Sequence, residues 1–239
     1  MNNYHTTNFE NELSKLGITL SNLQLQQFMT YYELLVEKNK VMNLTAITDF
    51  NEVLMKHFLD SVSLVRVCNL DQSLSLMDMG TGAGFPGIPL KIVFPNLKVT
   101  LSDSLNKRVL FLQEVIDALN LKDIQAVHGR AEDLAKNSQY RESYDLCVSR
   151  AVANLSTLSE YCLPFVKIGG QFVSYKSGSC EDEVEQAKTA VFLLGGKIVN
   201  VDKFDLQESG RSFVVIEKRA GTPKKYPRKA GTPSKNPLQ

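Results

Sequence analysis

Met77-Asp78-Met79-Gly80-Thr81-Gly82-Ala83-Gly84-Phe85-Pro86-Gly87 is the stretch on which the reading of this 239-residue chain turns. It follows a short apolar run at 74–77 and opens onto an amphipathic segment at 86–94. Glycines let the backbone turn tightly and let a ligand approach with no Cβ in the way. Pro86 suits a first helical turn, where its missing N–H costs nothing. A strand, a glycine turn and a helix in that order mark the carboxyl end of a strand, which is where open α/β sheets bind ligands. A turn that merely packs helix on strand needs no acidic partner. Here Asp103, in Leu101-Ser102-Asp103-Ser104, lies about 20 positions on, at the next strand end, where such sheets meet ribose hydroxyls.

The loop carries two overlapping patterns. Gly82 to Gly87 satisfies GxGxxG, the dinucleotide fingerprint, which predicts an NAD-dependent oxidoreductase. Asp78 to Gly84 satisfies DxGxGxG, the loop that cradles S-adenosylmethionine in Rossmann-like methyltransferases, and Asp103 serves either ligand.

Outward from the loop, apolar runs at 74–77, 98–102, 124–128, 144–149, 170–175, 198–203 and 211–217 read as strands. Helical patterns at 86–94, 106–120, 131–136, 154–167 and 181–194 separate the first six. Such alternation predicts an α/β, Rossmann-like, mostly parallel seven-stranded sheet. The short link between the last two strands suits an antiparallel edge strand, since a parallel crossover needs a dozen or more residues. Before the sheet the pattern is helical: Ser21 and Gln24 read as a capping box, and Leu25, Phe28, Met29, Tyr32, Leu35 and Val36 follow at helical spacing. After the polar break Asn43-Leu44-Thr45, a second helix carries Val53, Leu54, His57 and Phe58. The chain therefore divides into an N-terminal helical extension (1–67), a ligand-binding domain (68–218) and a tail (219–239). The tail near-repeats itself at an offset of ten residues, holds four of the eight prolines and no acidic residue, and reads as extended chain outside the core.

Two further turns face the same end of the sheet. His128-Gly129-Arg130-Ala131-Glu132-Asp133 follows the third strand; Ala131 and Glu132 are candidates to meet an adenine, whereas Asp133 reads as a helix cap. Cys147-Val148-Ser149-Arg150-Ala151 follows the fourth, and Arg150 can reach ligand or substrate there unless it forms a surface ion pair. No Asn/Asp-Pro-Pro-aromatic box activates an exocyclic amine, and no Pro-Cys nucleophile is present. His57 reads as a core-edge histidine rather than a general base.

Cys68, Cys147, Cys162 and Cys180 have no CxxC or zinc-ligand spacing, so we expect reduced thiols and no metal. No basic-plus-apolar leader starts the chain and no apolar run reaches the ~18 residues of a membrane span. These features predict a cytoplasmic protein without a membrane partner.

In order and spacing these residues resemble the ribosomal RNA small-subunit methyltransferase G (RsmG/GidB) family over nearly the whole chain. The similarity runs through Asn39-Lys40, Asn43-Leu44-Thr45-Ala46-Ile47, His57-Phe58-Leu59-Asp60-Ser61, and Asp78 to Leu90. It continues through Asp103-Ser104 with Asn106-Lys107-Arg108, Gly129 to Glu132, Ser149-Arg150-Ala151 and Tyr226-Pro227-Arg228-Lys229. The resemblance implies methyl transfer from S-adenosylmethionine to N7 of a guanosine in the decoding-region loop of 16S rRNA. It also implies cofactor contacts at Gly80, Phe85, Ala131, Glu132 and Arg150; position adds Gly82, Gly84 and the ribose partner Asp103.

Guanine N7 is an unprotonated lone-pair donor, so positioning alone can drive the displacement, and the lack of an acid–base pair fits. A bidentate arginine grip on the guanine would occupy N7, so Arg150 is expected to orient or to contact cofactor, our one catalytic candidate. The formal net charge of +1 at first argues against nucleic acid, but it is segregated. Residues 218–239 hold seven basic and no acidic residues, while the rest hold 20 basic against 26 acidic. Lys224, Lys225, Arg228 and Lys229 are the RNA-binding candidates, with 16S rRNA or the small ribosomal subunit as partner and a monomer as the acting form. A non-catalytic RNA-binding factor on the same fold is the remaining alternative.

Overall fold

The computed structural model describes residues 4–150, 153–207 and 209–239; Ala151 of the fourth-strand turn lies outside the described residues. Helix α1 spans Thr7–Lys15 and α2 spans Asn22–Met42. The expected capping box starts α2: Gln24 N donates to Ser21 Oγ, and Ser21 N donates to Gln24 Oε1 at 2.9 Å. Asn43, in the left-handed region at φ 50°, ends the helix. The polar break that follows is a built turn, because Asn39 brackets Thr45 through its side-chain Nδ2 and Oδ1, both at 2.9 Å. The next helical run opens with α3, Phe50–Val53, capped by Asp49. It continues through a π-helical turn at Leu54–Leu59 and α4, Asp60–Val62, and ends in a 3-10 turn at Ser63–Arg66.

Seven strands follow: β1 Ser75–Met79, β2 Lys98–Asp103, β3 Ile124–His128, β4 Tyr144–Arg150, β5 Val166–Ser177, β6 Gly196–Leu206 and β7 Ser209–Lys218. Between them lie α5 Gly87–Val93, α6 Asn106–Ala118, α7 Ala131–Leu134, α8 Leu155–Cys162 and α9 Glu181–Leu193. The sheet order is β3-β2-β1-β4-β5-β7-β6, with β1 to β5 parallel. The expected hairpin forms the sheet edge, with β7 antiparallel to both β5 and β6 and inserted between them. Strand β5 begins earlier than the sequence predicts: Gly169-Gly170 sits inside it, where the register with β4 shifts between Tyr144 and Leu146. Strand order reverses at β1, so the carboxyl ends of β1 and β4 flank the topological switch point.

One apolar layer packs α1, α2, the π-helical turn, α5 and α6 on one face of the sheet; the other packs α8 and α9 on the opposite face. A row of rings runs from the N-terminal helices to the glycine loop. Centroids are 5.4 Å apart for Phe9–Phe28, 4.9 Å for Phe28–Phe58, 5.2 Å for Tyr31–Phe58 and 5.6 Å for Tyr31–Phe85. Such pairs contribute about 0.5–1.5 kcal/mol each beyond the area they bury. Residues 9–65 thus share one core with the sheet, and their rings set the position of Phe85.

The segment 219–239 corrects the expectation of an extended tail outside the core. Thr222, Tyr226, Pro227 and Pro233 are buried, and the segment ends in a short helix α10, Thr232–Lys235. Its backbone is tied down by side chains of the body. Arg141 donates to the carbonyls of Thr222 and Tyr226 (2.7 and 3.0 Å), Glu142 accepts from Thr222 N (2.7 Å), and Thr157 Oγ1 donates to Pro233 O (3.1 Å). Proline and glycine confine regular structure here to that one helical turn, yet they do not prevent order once the backbone groups find partners elsewhere. Lys218, counted with the basic end, is buried and donates to Leu163 O and Thr222 Oγ1 (2.6 and 2.7 Å).

Candidate functional site

At the carboxyl ends of β1 to β4 lies a cavity of about 640 Å³. The glycine loop makes its floor. Gly80 N and Thr81 N both donate to Ser102 O (2.9 and 3.1 Å), which folds the loop back over the end of β2. Asp78, wholly buried, fastens strand to helix: its Oδ2 accepts from Thr81 Oγ1 at 2.6 Å and from Gly87 N at 2.8 Å. A Cβ on Gly87 would stand 2.3 Å from Leu101 Cδ2, so α5 can approach this closely only on a glycine. Burial pushes the Asp78 carboxyl up to about 6 against the opposing pull of those two hydrogen bonds.

The sequence candidates Gly80, Gly82, Phe85, Asp103, Ala131, Glu132 and Arg150 all line this cavity. Gly82 has φ +62° and open space where a Cβ would point. Gly84 is not among these lining residues; a Cβ there would meet Ile88 Cδ1 and Tyr31 Oη at 2.6 Å, so the close packing of α2 and α5 on the loop needs a glycine at this position. Asp103 is held rigidly, with Oδ2 accepting from Gly82 N (3.0 Å) and Arg108 Nη1 (3.3 Å) and Oδ1 accepting from Leu105 N (2.9 Å). A carboxylate offers about four lone-pair sites and three are used here, so one ribose hydroxyl can bond directly and a second would replace the long Arg108 contact at 3.3 Å. Glu132 is buried and its Oε1 accepts from Gly231 N at 2.9 Å, which brings the docked C-terminal segment to the cavity wall.

The opposite wall comes from the N-terminal helices. His57 stacks on Phe85 (centroids 4.6 Å, 23°), and its Nε2 lies 2.8 Å from Thr45 Oγ1. Arg150 donates from Nη1 to Asp60 Oδ2 (2.7 Å) and the Lys56 carbonyl (3.4 Å), and its Nη2 lies 3.4 Å from His57 Nδ1. The guanidinium sits 5.0 Å from the Phe85 centroid, a cation–π contact. Arg150 has no acceptor, so this contact is satisfied in the tautomer that carries the imidazole proton on Nε2. Burial, then the Arg150 charge, lowers His57 to about 4, so it is neutral at neutral pH. Asp60 also accepts from Arg211 Nε (2.8 Å), joining α4, β4 and β7.

Thr45, His57, Arg108, Arg130 and Tyr161 line the cavity as well, and sequence alone points to none of them as a ligand contact. One signal is available for this wall: Asp60 is a charge inside the apolar run Phe58-Leu59-Asp60-Ser61-Val62 on a core-facing helix, where only a paired carboxylate is affordable. The RNA candidates lie outside the cavity. Lys224, Lys225 and Lys229 are exposed, with Lys225 Nζ 5.1 Å from the Tyr226 centroid. Arg228 is committed inward, its Nε and Nη2 on the buried Glu160 carboxylate at 2.6–3.1 Å. The four cysteines are free thiols. Among the described residues no His/Cys/Asp/Glu group could hold a metal ion, and no helix is long and apolar enough to cross a membrane.

The donor set fits an adenosyl ligand: a rigid acidic residue at the second strand end, backbone around Gly80 and Gly82 free of side chains, and an apolar ring at Phe85. Fold and cavity together define a class I, Rossmann-like, S-adenosylmethionine-dependent methyltransferase. Among solved structures the chain is similar to M. jannaschii TYW2 in complex with AdoMet, with a TM-score of 0.54, 15% identity, and coverage of 66% of this chain and 74% of that one. The family model for rRNA small subunit methyltransferase G (GidB) matches residues 24–213, and the chain belongs to that family. It is 54% identical over 230 residues to the ribosomal RNA small subunit methyltransferase G of Staphylococcus carnosus, covering 95% of this chain and 96% of the relative. To that of Staphylococcus saprophyticus it is 52% identical over 229 residues, covering 95% of each.

Proposed function

We propose that this chain, acting as a monomer, methylates N7 of a guanosine in the decoding-region loop of 16S rRNA, presented as RNA or within the small ribosomal subunit. The observation that carries this reading is the convergence of the glycine loop, Asp103, Ala131-Glu132 and Arg150 on one cavity whose imidazole is held neutral, in a member of the GidB family. When bound, S-adenosylmethionine supplies an electrophilic sulfonium methyl that an unprotonated N7 can displace from sulfur without prior loss of a proton. Asp103 holds the ribose diol, Gly80 and Gly82 clear space along the backbone, Phe85 and Ala131 flank the adenosine, and Glu132 takes a polar edge. Arg150, fixed by Asp60, orients the reactants.

The reading asks nothing of His57 as a base, which its weak basicity, lowered to about 4, and the partners on both its ring nitrogens support. A dinucleotide-dependent reaction finds no such support, because no hydride-transfer residue set accompanies the GxGxxG overlap. The exposed Lys224, Lys225 and Lys229 supply phosphate contacts, with a salt-sensitive share of RNA affinity. Because the C-terminal segment is part of the packed body, charge-reversing these lysines is the clean probe and deletion of 219–239 is not.

The experiment is to map 7-methylguanosine in 16S rRNA by borohydride–aniline cleavage in cells with and without this chain, beside calorimetry with S-adenosylhomocysteine and NADH. A modification lost with the chain, with S-adenosylhomocysteine binding and none by NADH, is the expected result. Unchanged cleavage, or NADH binding alone, overturns the proposal.

A further inference from the structure

A second cavity, of about 690 Å³, adjoins the first. His57 and Arg150 line both, so the two cavities meet at these side chains. Away from that junction the second cavity carries the cations Lys56, Lys176 and Arg211. Among the described residues its carboxylates are Asp60, bonded to Arg150 and Arg211, and Glu183, bonded to Lys176. Lys56 pairs with the exposed Glu52 beside the cavity, so with Arg150 the described lining itself holds more cations than carboxylates.

We propose that this second cavity receives the acceptor nucleotide, drawn out of the RNA stack, with its base at the Arg150–His57 junction of the two cavities and its phosphates on the Lys56 and Arg211 side. The assignment rests on the methyl-transfer reading above and adds to it a place and a set of contacts. Three physical requirements meet here. In-line transfer needs the attacking atom about 3–3.5 Å from the methyl with nothing between them, so the acceptor must sit where its space meets the cofactor cavity, which here is at His57 and Arg150. In helical RNA the groove that displays N7 is deep and narrow, closed to side chains, so an unstacked nucleotide in its own pocket is the accessible form. Phosphates need cations, and Lys56 stands at the rim with its side chain 47% exposed.

The junction is suited to guanine N7 in particular. Arg150 spends Nη1 on Asp60 and the Lys56 carbonyl, which closes the paired Nη1/Nη2 grip on O6 and N7. Nη2 can still donate to O6, leaving the N7 lone pair free. The base becomes cationic as the N7–carbon bond forms and the sulfur–carbon bond breaks; neutral His57, fixed on Phe85, adds no charge there, and the Arg150 charge is offset by its Asp60 partner.

The test uses two variants of the full chain on small-subunit RNA, with kcat and KM for RNA resolved and S-adenosylhomocysteine affinity measured alongside. Lys56→Gln loses only an exposed i,i+4 ion pair with Glu52, so the fold is unaffected. It should raise KM for RNA and reduce the salt slope of binding by about 1. Ser177→Trp, at an exposed position lining the second cavity, should raise KM by at least about tenfold by filling it, with S-adenosylhomocysteine affinity unchanged. Wild-type KM in both variants, while the unaltered chain methylates the RNA, overturns the pocket and leaves the function standing. Absence of 7-methylguanosine formation by the unaltered chain overturns both.

Discussion

Arg228→Ala should destabilise the protein strongly while removing a residue that sequence places among RNA contacts. Glu160 carries its carboxylate with the side chain 1% exposed, and Arg228 supplies Nε and Nη2 to it, with the Arg228 backbone N adding a bond at 2.7 Å. Removing one partner of a buried pair leaves an uncompensated charge, at a cost of about 3–5 kcal/mol. For a chain of this size each kcal/mol moves Tm by roughly 2–4 °C, so the expected fall is roughly 6–20 °C. Only docking of the C-terminal segment is lost if that segment opens before the rest unfolds. Thermal unfolding by circular dichroism reads the first case, and tryptic cleavage after Lys224 and Lys225 under native conditions reads the second. Arg228→Met combined with Glu160→Met should recover most of the loss, since the penalty belongs to the orphaned charge rather than to a large net worth of the pair. A single variant within about 1 kcal/mol of wild type by both measurements, well below that cost, would refute the reasoning.

Three other outcomes follow from the site. Arg150→Ala should lower turnover strongly with the fold intact; a folded variant of near-wild-type activity removes Arg150 from the reaction. His57 and Asp78 should tilt stability against pH in opposite directions. His57 falls from its ordinary 6.5 to about 4, so the unfolded chain binds the extra proton and stability drops as pH falls through that window. Asp78 rises from 3.8 to about 6, so the folded chain binds the proton and stability grows as pH falls over nearly the same range. At 1.36 kcal/mol per pKa unit each amounts to about 3 kcal/mol. Urea unfolding between pH 4 and 7 should therefore show a steeper acid loss in Asp78→Asn than in wild type and a shallower one in His57→Gln, and parallel curves for all three would refute both assignments. Lastly, Lys224→Glu with Lys225→Glu and Lys229→Glu should weaken RNA binding and flatten its salt dependence without changing S-adenosylhomocysteine affinity; unaltered RNA affinity removes them as contacts.

Much of the fold is legible because its signals are local. Alternating apolar runs and helical periods place all seven strands, and Asp78, the glycines and Asp103 announce the binding edge within some two dozen residues. What is not legible is set by distance along the chain. Glu132 meets Gly231 and Glu160 meets Arg228, pairs separated by 99 and 68 positions. No periodicity links them, and proline- and lysine-rich composition describes an ordered strap and a free tail equally well. The Arg150–Asp60–Arg211 group is hidden for the same reason, since three elements contribute one residue each. Gly84 shows a further demand that the motif does not reveal: its φ of +105° and its neighbours Tyr31 and Ile88 require a glycine for packing as well.

The bond between Glu132 and Gly231 also bears on how the protein is made. Cavity-lining residues run from Leu44 to Gly231, so the chain must leave the ribosome as far as Gly231 before the pocket closes. Domains fold from the N-terminus during synthesis, at about 5–20 residues per second, and here the helices and the first strands can collapse while the last wall is still being polymerised. A chain released by a stop codon shortly before Gly231 would thus hold every strand of its sheet and the whole glycine loop, yet present a cleft open along one side.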